Sequence, residues 1–326
     1  MTRSQICAGG GGFRSASPRK IADELGTWAG IYRQQGDQVP PKPDVLSDHR
    51  DELGEGPWWD AEDGTFYWVD STGCSIHWVR LDGSDVATIS TPGEVGFVVK
   101  TRSGLLLAGC RDGLYSYNGD GWQSKWTGSW DTSSVRCNDG KTDRNGLLWF
   151  GTMHDAETEP VAHLYRLRDG RPQVQLDGVT VSNGLGWSPD GKLMYYADSP
   201  TQTIRVFDYD ASAGEINNGR IFATDVKPSD PDGLTVDADG CVWSAKWDGG
   251  RVVRYTPDGR IDREVEVPVS RPTSCMFVGS DLRTLAITSA LPDVPDTEPL
   301  AGAVFLVDAG TQGLPETRFD EQQLTG

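Results

Sequence analysis

Histidine is scarce in this 326-residue chain: there are four, at positions 49, 77, 154 and 163. No two are spaced as H-x-x-x-H, which removes the helical zinc motif and argues against a multi-histidine metal site. The six cysteines, at 7, 74, 110, 137, 241 and 275, include no C-x-x-C pair. Zinc knuckles and thioredoxin-type chemistry are thereby disfavoured, and in a chain of this length the thiols read as reduced, buried and cytoplasmic. Basic charge is also short, with 30 Lys and Arg against 48 Asp and Glu and a net charge of -18. Nucleic-acid binding needs a basic face that displaces counterions, and anionic membranes attract the same kind of face. No run approaches the apolar length of a membrane span. What remains is 37% hydrophobic and 24% charged, the range of an ordinary soluble globular protein.

Residues 1 to 44 differ from the rest. They carry the glycine run Gly9 to Gly12, a weakly helical stretch from Lys20 to Gln34, and the stop Pro40-Pro41. They read as an N-terminal extension, flexible or weakly helical, with no apolar core for a secretory leader. From residue 45 to 326 the pattern is all-β. Strand-like pairs recur, beginning with Thr65-Phe-Tyr-Trp-Val-Asp and Ser75-Ile-His-Trp-Val-Arg and ending with Thr284-Leu-Ala-Ile-Thr and Gly302-Ala-Val-Phe-Leu-Val. They are rich in β-branched and aromatic residues and bounded by Gly, Asp and Asn turns. Their spacing of roughly 40 to 48 residues is that of a propeller blade. The expected fold is a six-bladed β-propeller with four-stranded antiparallel blades. Either Val45-Leu-Ser or Thr317-Arg-Phe can supply the strand that closes the ring.

Four segments repeat one phase: Glu55-Gly-Pro-Trp-Trp-Asp, Asn138-Asp-Gly-Lys-Thr-Asp, Asn183-Gly-Leu-Gly-Trp-Ser-Pro-Asp and Asp232-Gly-Leu-Thr-Val-Asp. A turn glycine follows each after eight or nine residues, at Gly64, Gly146, Gly191 and Gly240. Equivalent inner positions of a closed ring converge on its axis, so two carboxylates and two amides meet there. Oxygen donors of this kind suit a divalent cation. The equivalent positions of blades two and six fall near Gly96 and near Ser274 or Cys275. Arg136 lies two residues before Asn138, on the same side of its strand. Mouth loops are expected at 152–159, 198–202, 246–250 and 290–299, which makes His154, Glu157 and Trp247 candidate substrate contacts. Asp60, Asp143, Asp190 and Asp237 precede the turn glycines and read as turn-forming acids.

The motifs Leu53-Gly-Glu-Gly-Pro-Trp-Trp-Asp, Arg136-Cys-Asn-Asp-Gly-Lys-Thr-Asp, Leu148-Trp-Phe-Gly-Thr-Met, Ser182-Asn-Gly-Leu, Pro231-Asp-Gly-Leu and Arg271-Pro-Thr-Ser-Cys resemble those of the senescence marker protein, gluconolactonase and regucalcin-like family. The resemblance spans about residues 45 to 310. It implies one divalent ion (Ca, Zn, Mg, Mn or Fe) held by Glu55, Asn183, Asp232 and Asn138, with Arg136 and Asn138 contacting substrate. Some members bind sugar hydroxyls through a Glu in the loop after Gly-Thr-Met. By count that position is Ala156 here, with Asp155 and Glu157 beside it.

The implied activity is hydrolysis of a small-molecule sugar lactone to its aldonic acid. The metal acts as Lewis acid, Asp232 as general base, and Arg136 and Asn138 complete the catalytic group. Two readings stand beside it: a broader esterase or organophosphate hydrolase at the same site, and a calcium-binding or interaction propeller without catalysis. A monomer or weak homo-oligomer is expected, with no nucleic-acid or membrane partner.

Overall fold

Among the described residues, twenty-four short strands separated by Gly, Asp and Asn turns can bury their apolar faces only by stacking sheet on sheet. The computed structural model describes residues 42–81, 85–292 and 297–324, and the extension is outside them up to residue 41. The first strand, β1 (Asp44–Val45), precedes blade one, which is β2 (Gly54–Asp60), β3 (Thr65–Asp70), β4 (Ser75–Arg80) and β5 (Ala87–Ser90). Blade two is β6 (Val95–Lys100), β7 (Leu106–Cys110), β8 (Gly113–Tyr117) and β9 (Trp122–Thr127). Blade three is β10 (Val135–Thr142), β11 (Leu148–His154), β12 (Ala162–Arg168) and β13 (Arg171–Val179). Blade four is β14 (Ser182–Trp187), β15 (Leu193–Asp198), β16 (Thr203–Asp210) and β17 (Glu215–Thr224). Blade five is β18 (Asp230–Val236), β19 (Val242–Trp247), β20 (Arg251–Tyr255) and β21 (Ile261–Glu266). Blade six takes β22 (Pro272–Val278), β23 (Thr284–Ser289) and β24 (Phe305–Asp308) from the end of the chain and β1 from its beginning.

Ring closure is therefore made by the N-terminal strand. Asp44 pairs with Leu306 and Val45 with Phe305. Of the two closing candidates, the stretch at Val45 takes the part, while Phe319 makes a single parallel bridge to Thr101. Residue 44, counted with the extension above, is thus part of a blade. The six sheets are antiparallel throughout. Aromatic residues fill the wedges between them: Trp58, Trp68, Trp149 and Trp243 are buried, and Trp149 meets Trp187 edge-on at 6.3 Å. The acids before the turn glycines serve the turns. Asp143 Oδ1 accepts from the backbone N–H of Asn145 and Leu147, both at 2.8 Å, and Asp237 Oδ1 accepts from Asp239 and Cys241. No helix in the described residues is long and apolar enough to cross a membrane.

The innermost strands touch each other at one level around the ring. A Cβ on Gly96 would sit 2.2 Å from the Asn138 carbonyl oxygen, and one on Gly233 would sit 2.0 Å from Ser274 Oγ. Thr273 Oγ1 donates to the Gly54 carbonyl, joining blade six to blade one. Backbones this close leave no room for side chains, which explains why blade two offers glycine at the phase where other blades carry oxygen donors. Gly96→Ala is expected to destabilise the protein by about 1–3 kcal/mol, as overpacking does in a closed interior. Chemical denaturation measures this, and an unchanged midpoint would show that the ring is looser than described.

Candidate active site

Every innermost strand leaves its ladder at the same phase. Register breaks lie between Glu55 and Trp58, Val95 and Phe97, Cys137 and Gly140, Asn183 and Leu185, Pro231 and Leu234, and Pro272 and Ser274. A bulge frees a residue from pairing and re-aims its side chain. Asn138 and Asp232 fall inside such a break, and Glu55 and Asn183 are the last paired residues before one. All four line one cavity of about 170 Å³, together with Arg136, Glu157 and Trp247.

Hydrogen bonds fix the amides in a relay. Arg136 Nη1 donates to Asn138 Oδ1 (3.0 Å), and Asn138 Nδ2 donates to Asn183 Oδ1 and to the Ser182 carbonyl (both 2.9 Å). Asn183 Nδ2 donates to Ser199 Oγ (2.8 Å), which donates on to the Pro231 carbonyl (2.7 Å). Blades three, four and five are thus linked through the site itself.

The carboxylates are not neutralised in this way. Asp232 is 3% exposed, and its Oδ1 is buried with no hydrogen-bond partner. Burial pushes the Asp232 carboxyl well above the usual range, and the charges of Glu55 and Asp139 push it further. Glu55 is pushed up to about 8, chiefly by burial and then by Asp139, with Arg136 pulling the other way. Asp139 itself is raised by burial. Burial lowers the Arg136 guanidinium; its nearest acid contact is Asp155, with Nε to Oδ1 at 3.7 Å. Two crowded carboxyls, one with an acceptor atom that has no donor, and two oriented amides line one cavity and form a donor set that fits a hard divalent cation. Glu55, Asn183 and Asp232 would hold it.

The mouth follows from strand parity. The innermost strand starts at the mouth, so the loops after second strands and after fourth strands both return there. The first kind, with the strand ends that lead into it, supplies Met153, Glu157, Ser199, Pro200 and Trp247. The second kind supplies Lys227 and leads into Asp230 at the start of β18; the sequence pattern points only to loops of the first kind. Asp139 was also missed; the bulge leaves it beside Asn138, where strict alternation would turn it away.

Residues 53–291 match the family model described as SMP-30/Gluconolactonase/LRE-like region. The chain belongs to this SMP-30/gluconolactonase family. It is 36% identical to the L-arabinolactonase of Azospirillum brasilense over 287 residues, 84% of this chain and 94% of that protein. It is 36% identical to the 6-deoxy-6-sulfogluconolactonase of Pseudomonas putida over 279 residues, 82% of this chain and 94% of that protein. Among solved structures, a calcium-binding protein, regucalcin, from Agrobacterium tumefaciens superposes with a TM-score of 0.81 at 26% identity, covering 86% of this chain and 98% of that one.

Within this SMP-30/gluconolactonase fold, His154 does not join the cavity-lining group. Its Nδ1 accepts from the backbone N–H of Glu159 (3.2 Å), so the ring shapes the loop. Ala156 is exposed. The next residue, Glu157, has a left-handed backbone (φ 56°) and reaches the cavity rim. Asp155 pairs with Arg111 (2.9 Å). Trp247 stands at the rim with the Arg271 guanidinium 4.7 Å above its ring, and Arg271 Nε donates to Asp248 at 2.8 Å. Asp70 and Asp198 lie at the same phase of blades one and four. Each accepts from two successive backbone N–H groups entering the innermost strand, Glu52 and Leu53 in one case, Thr180 and Val181 in the other.

The raised Glu55 pKa has a signed consequence for stability. The folded, ion-free protein binds this proton more tightly than the unfolded chain, whose value is near 4.5. The associated stability is therefore fully present below about pH 4.5 and is lost as pH rises through about 8. In chelator, Glu55→Gln should flatten the fall of the denaturation midpoint across this window. Superimposable pH profiles for wild type and variant would refute the buried, uncompensated carboxylate.

Proposed function

We propose that this member of a sugar lactonase family opens an aldonolactone to its aldonic acid at the cavity between Glu55, Asn183 and Asp232, with a divalent ion as cofactor. The observation that carries this reading is the buried, unpartnered Asp232 oxygen beside Glu55, with Arg136 and Asn138 alongside in one cavity. The lactonase names of the L-arabinolactonase and 6-deoxy-6-sulfogluconolactonase relatives support the substrate class. The ion, calcium, zinc, magnesium, manganese or iron, would supply a Lewis acid for the lactone carbonyl oxygen.

The residues divide the remaining work. Asp232 takes a proton from the attacking water. The water oxygen bonds to the carbonyl carbon, the ring C–O bond breaks, and the departing ring oxygen receives the proton that Asp232 took from the water, leaving a hydroxy acid. Arg136 hydrogen-bonds the developing oxyanion or a neighbouring hydroxyl, aimed by its contact to Asn138. Asn138 orients Asn183 and reaches the sugar. Glu157, from its left-handed position, binds hydroxyls in place of the acid absent at Ala156. Trp247, braced by Arg271, stacks on the sugar face. Two acid ligands balance one dication, so a neutral lactone enters and an anionic product leaves.

Acid release from a panel of aldonolactones, followed after chelation and metal restoration, tests the reaction. Turnover should vanish with chelator and return with the ion. Asp232→Asn should lower kcat/KM at least about 100-fold, while Trp247→Ala should act mainly on KM. Turnover that persists in Asp232→Asn with the ion bound would remove the base; ion binding with no turnover of any lactone would leave only a cation-binding propeller. Metal uptake near pH 6.5 should also release protons, because Glu55 and Asp232 must ionise to bind. Calorimetry in buffers of different ionisation enthalpy measures this, and a proton count of zero would contradict the ligand assignment.

A further inference from the structure

A second group of donors lies outside the cavity lining, where the chain passes from β1 into blade one. His49 and Asp51 are in that connection, and His77 is on β4. We propose that these three residues form a separate, structural site for a zinc-like divalent ion, which clasps the ring-closing segment onto blade one.

The donor atoms already converge. His49 Nε2 is 2.8 Å from Asp51 Oδ1, and His77 Nε2 is 3.2 Å from the same oxygen. All three donors lie within 4.8 Å of one another. A tetrahedral zinc ion with bonds of about 2.0–2.1 Å spaces its ligands by roughly 3.3 Å, so small side-chain shifts admit it. The surrounding contacts are those a ligand set requires. Asp51 Oδ2 accepts from Trp68 Nε1 (2.8 Å), which leaves Oδ1 to face the histidines. His77 Nδ1 is 2.8 Å from Thr88 Oγ1, and the tautomer that donates there turns the Nε2 lone pair inward. The two imidazole rings lie side by side with centroids 4.1 Å apart.

Access and chemistry agree with this assignment. The Asp51 and His77 side chains are 1% and 3% exposed, whereas His49 is 31% exposed and forms the way in. A water, or Ser75 Oγ, which is 3.0 Å from His77 Nε2, completes four-coordination. Two imidazoles and one carboxylate favour zinc over calcium or magnesium, unlike the all-oxygen channel set. Motif scanning cannot find the site, because the histidines come from different elements.

The clasp has a structural use. β1 contributes only two paired residues to blade six. Asp51 continues the closure, its N–H donating to the Gly302 carbonyl at 2.9 Å. An ion shared between Asp51 and His77 would lock this short closing strand to blade one.

Metal-depleted full-length protein titrated with Co(II) gives the test, through the visible bands of four-coordinate, nitrogen-ligated cobalt. Wild type and Asp232→Asn should both develop the bands, and His49→Ala should lose them while keeping lactone turnover. Zinc should raise the wild-type Tm by roughly 3–5 °C, with no shift in His49→Ala. His77→Gln should behave like His49→Ala; where its fold suffers, the exposed His49 variant decides alone. Bands that survive in His49→Ala, or a wild type with neither bands nor a zinc shift, would reduce the cluster to a hydrogen-bonded pair and overturn the proposal.

Discussion

Buried carboxyls crowded together, whose burial outweighs the pull of Arg136 and Lys141, are the constraint on which the rest of this structure depends. Glu55 and Asp232 line the channel cavity and Asp139 lies close enough to raise both, each with its carboxyl pKa raised mainly by burial. A protein stabilised only by its own contacts would replace such groups with apolar or neutral ones, since burying like charges together is costly. Keeping them is understandable when a cation is part of the working molecule. Arg136 does not offset this: it donates to Asn138, its nearest acid contact is Asp155, and its pull on Glu55 is smaller than the effect of burial.

The scaffold meets this constraint with one repeated device. Each innermost strand bulges at the same height, and small residues at that height let neighbouring strands approach almost to backbone contact. The bulge turns an ordinary alternating side chain toward the axis, and the tight ring holds it there. Aromatic wedges farther out keep the blades apart at fixed angles. The amide relay from Arg136 through Asn183 to Ser199 then couples three blades across the site. Precision at the cavity is thus a property of the whole ring.

Much of this was legible from sequence because it is periodic. The four oxygen donors were visible as a single phase, and their strands were visible as β-branched and aromatic runs between turn glycines. Blades two and six read as carrying small residues at that phase, and Gly96 has a steric reason for its size. Other features were not legible because they break periodicity. Asp139 depends on a bulge, whose position no alternation rule gives. Lys227 and Asp230 required counting strand direction through a whole blade. Glu157 reaches the rim only through a left-handed turn, and His154, which looked equally well placed, spends its ring nitrogen on its own loop. The choice of closing strand was undetermined, since two residues of pairing leave almost no pattern to read.

A crystal structure grown with calcium or manganese would test the central claim most directly. The account requires one ion in the channel, with oxygens of Glu55, Asn183 and Asp232 about 2.1–2.6 Å away. An ion found elsewhere, with these three side chains turned from the axis, would contradict it.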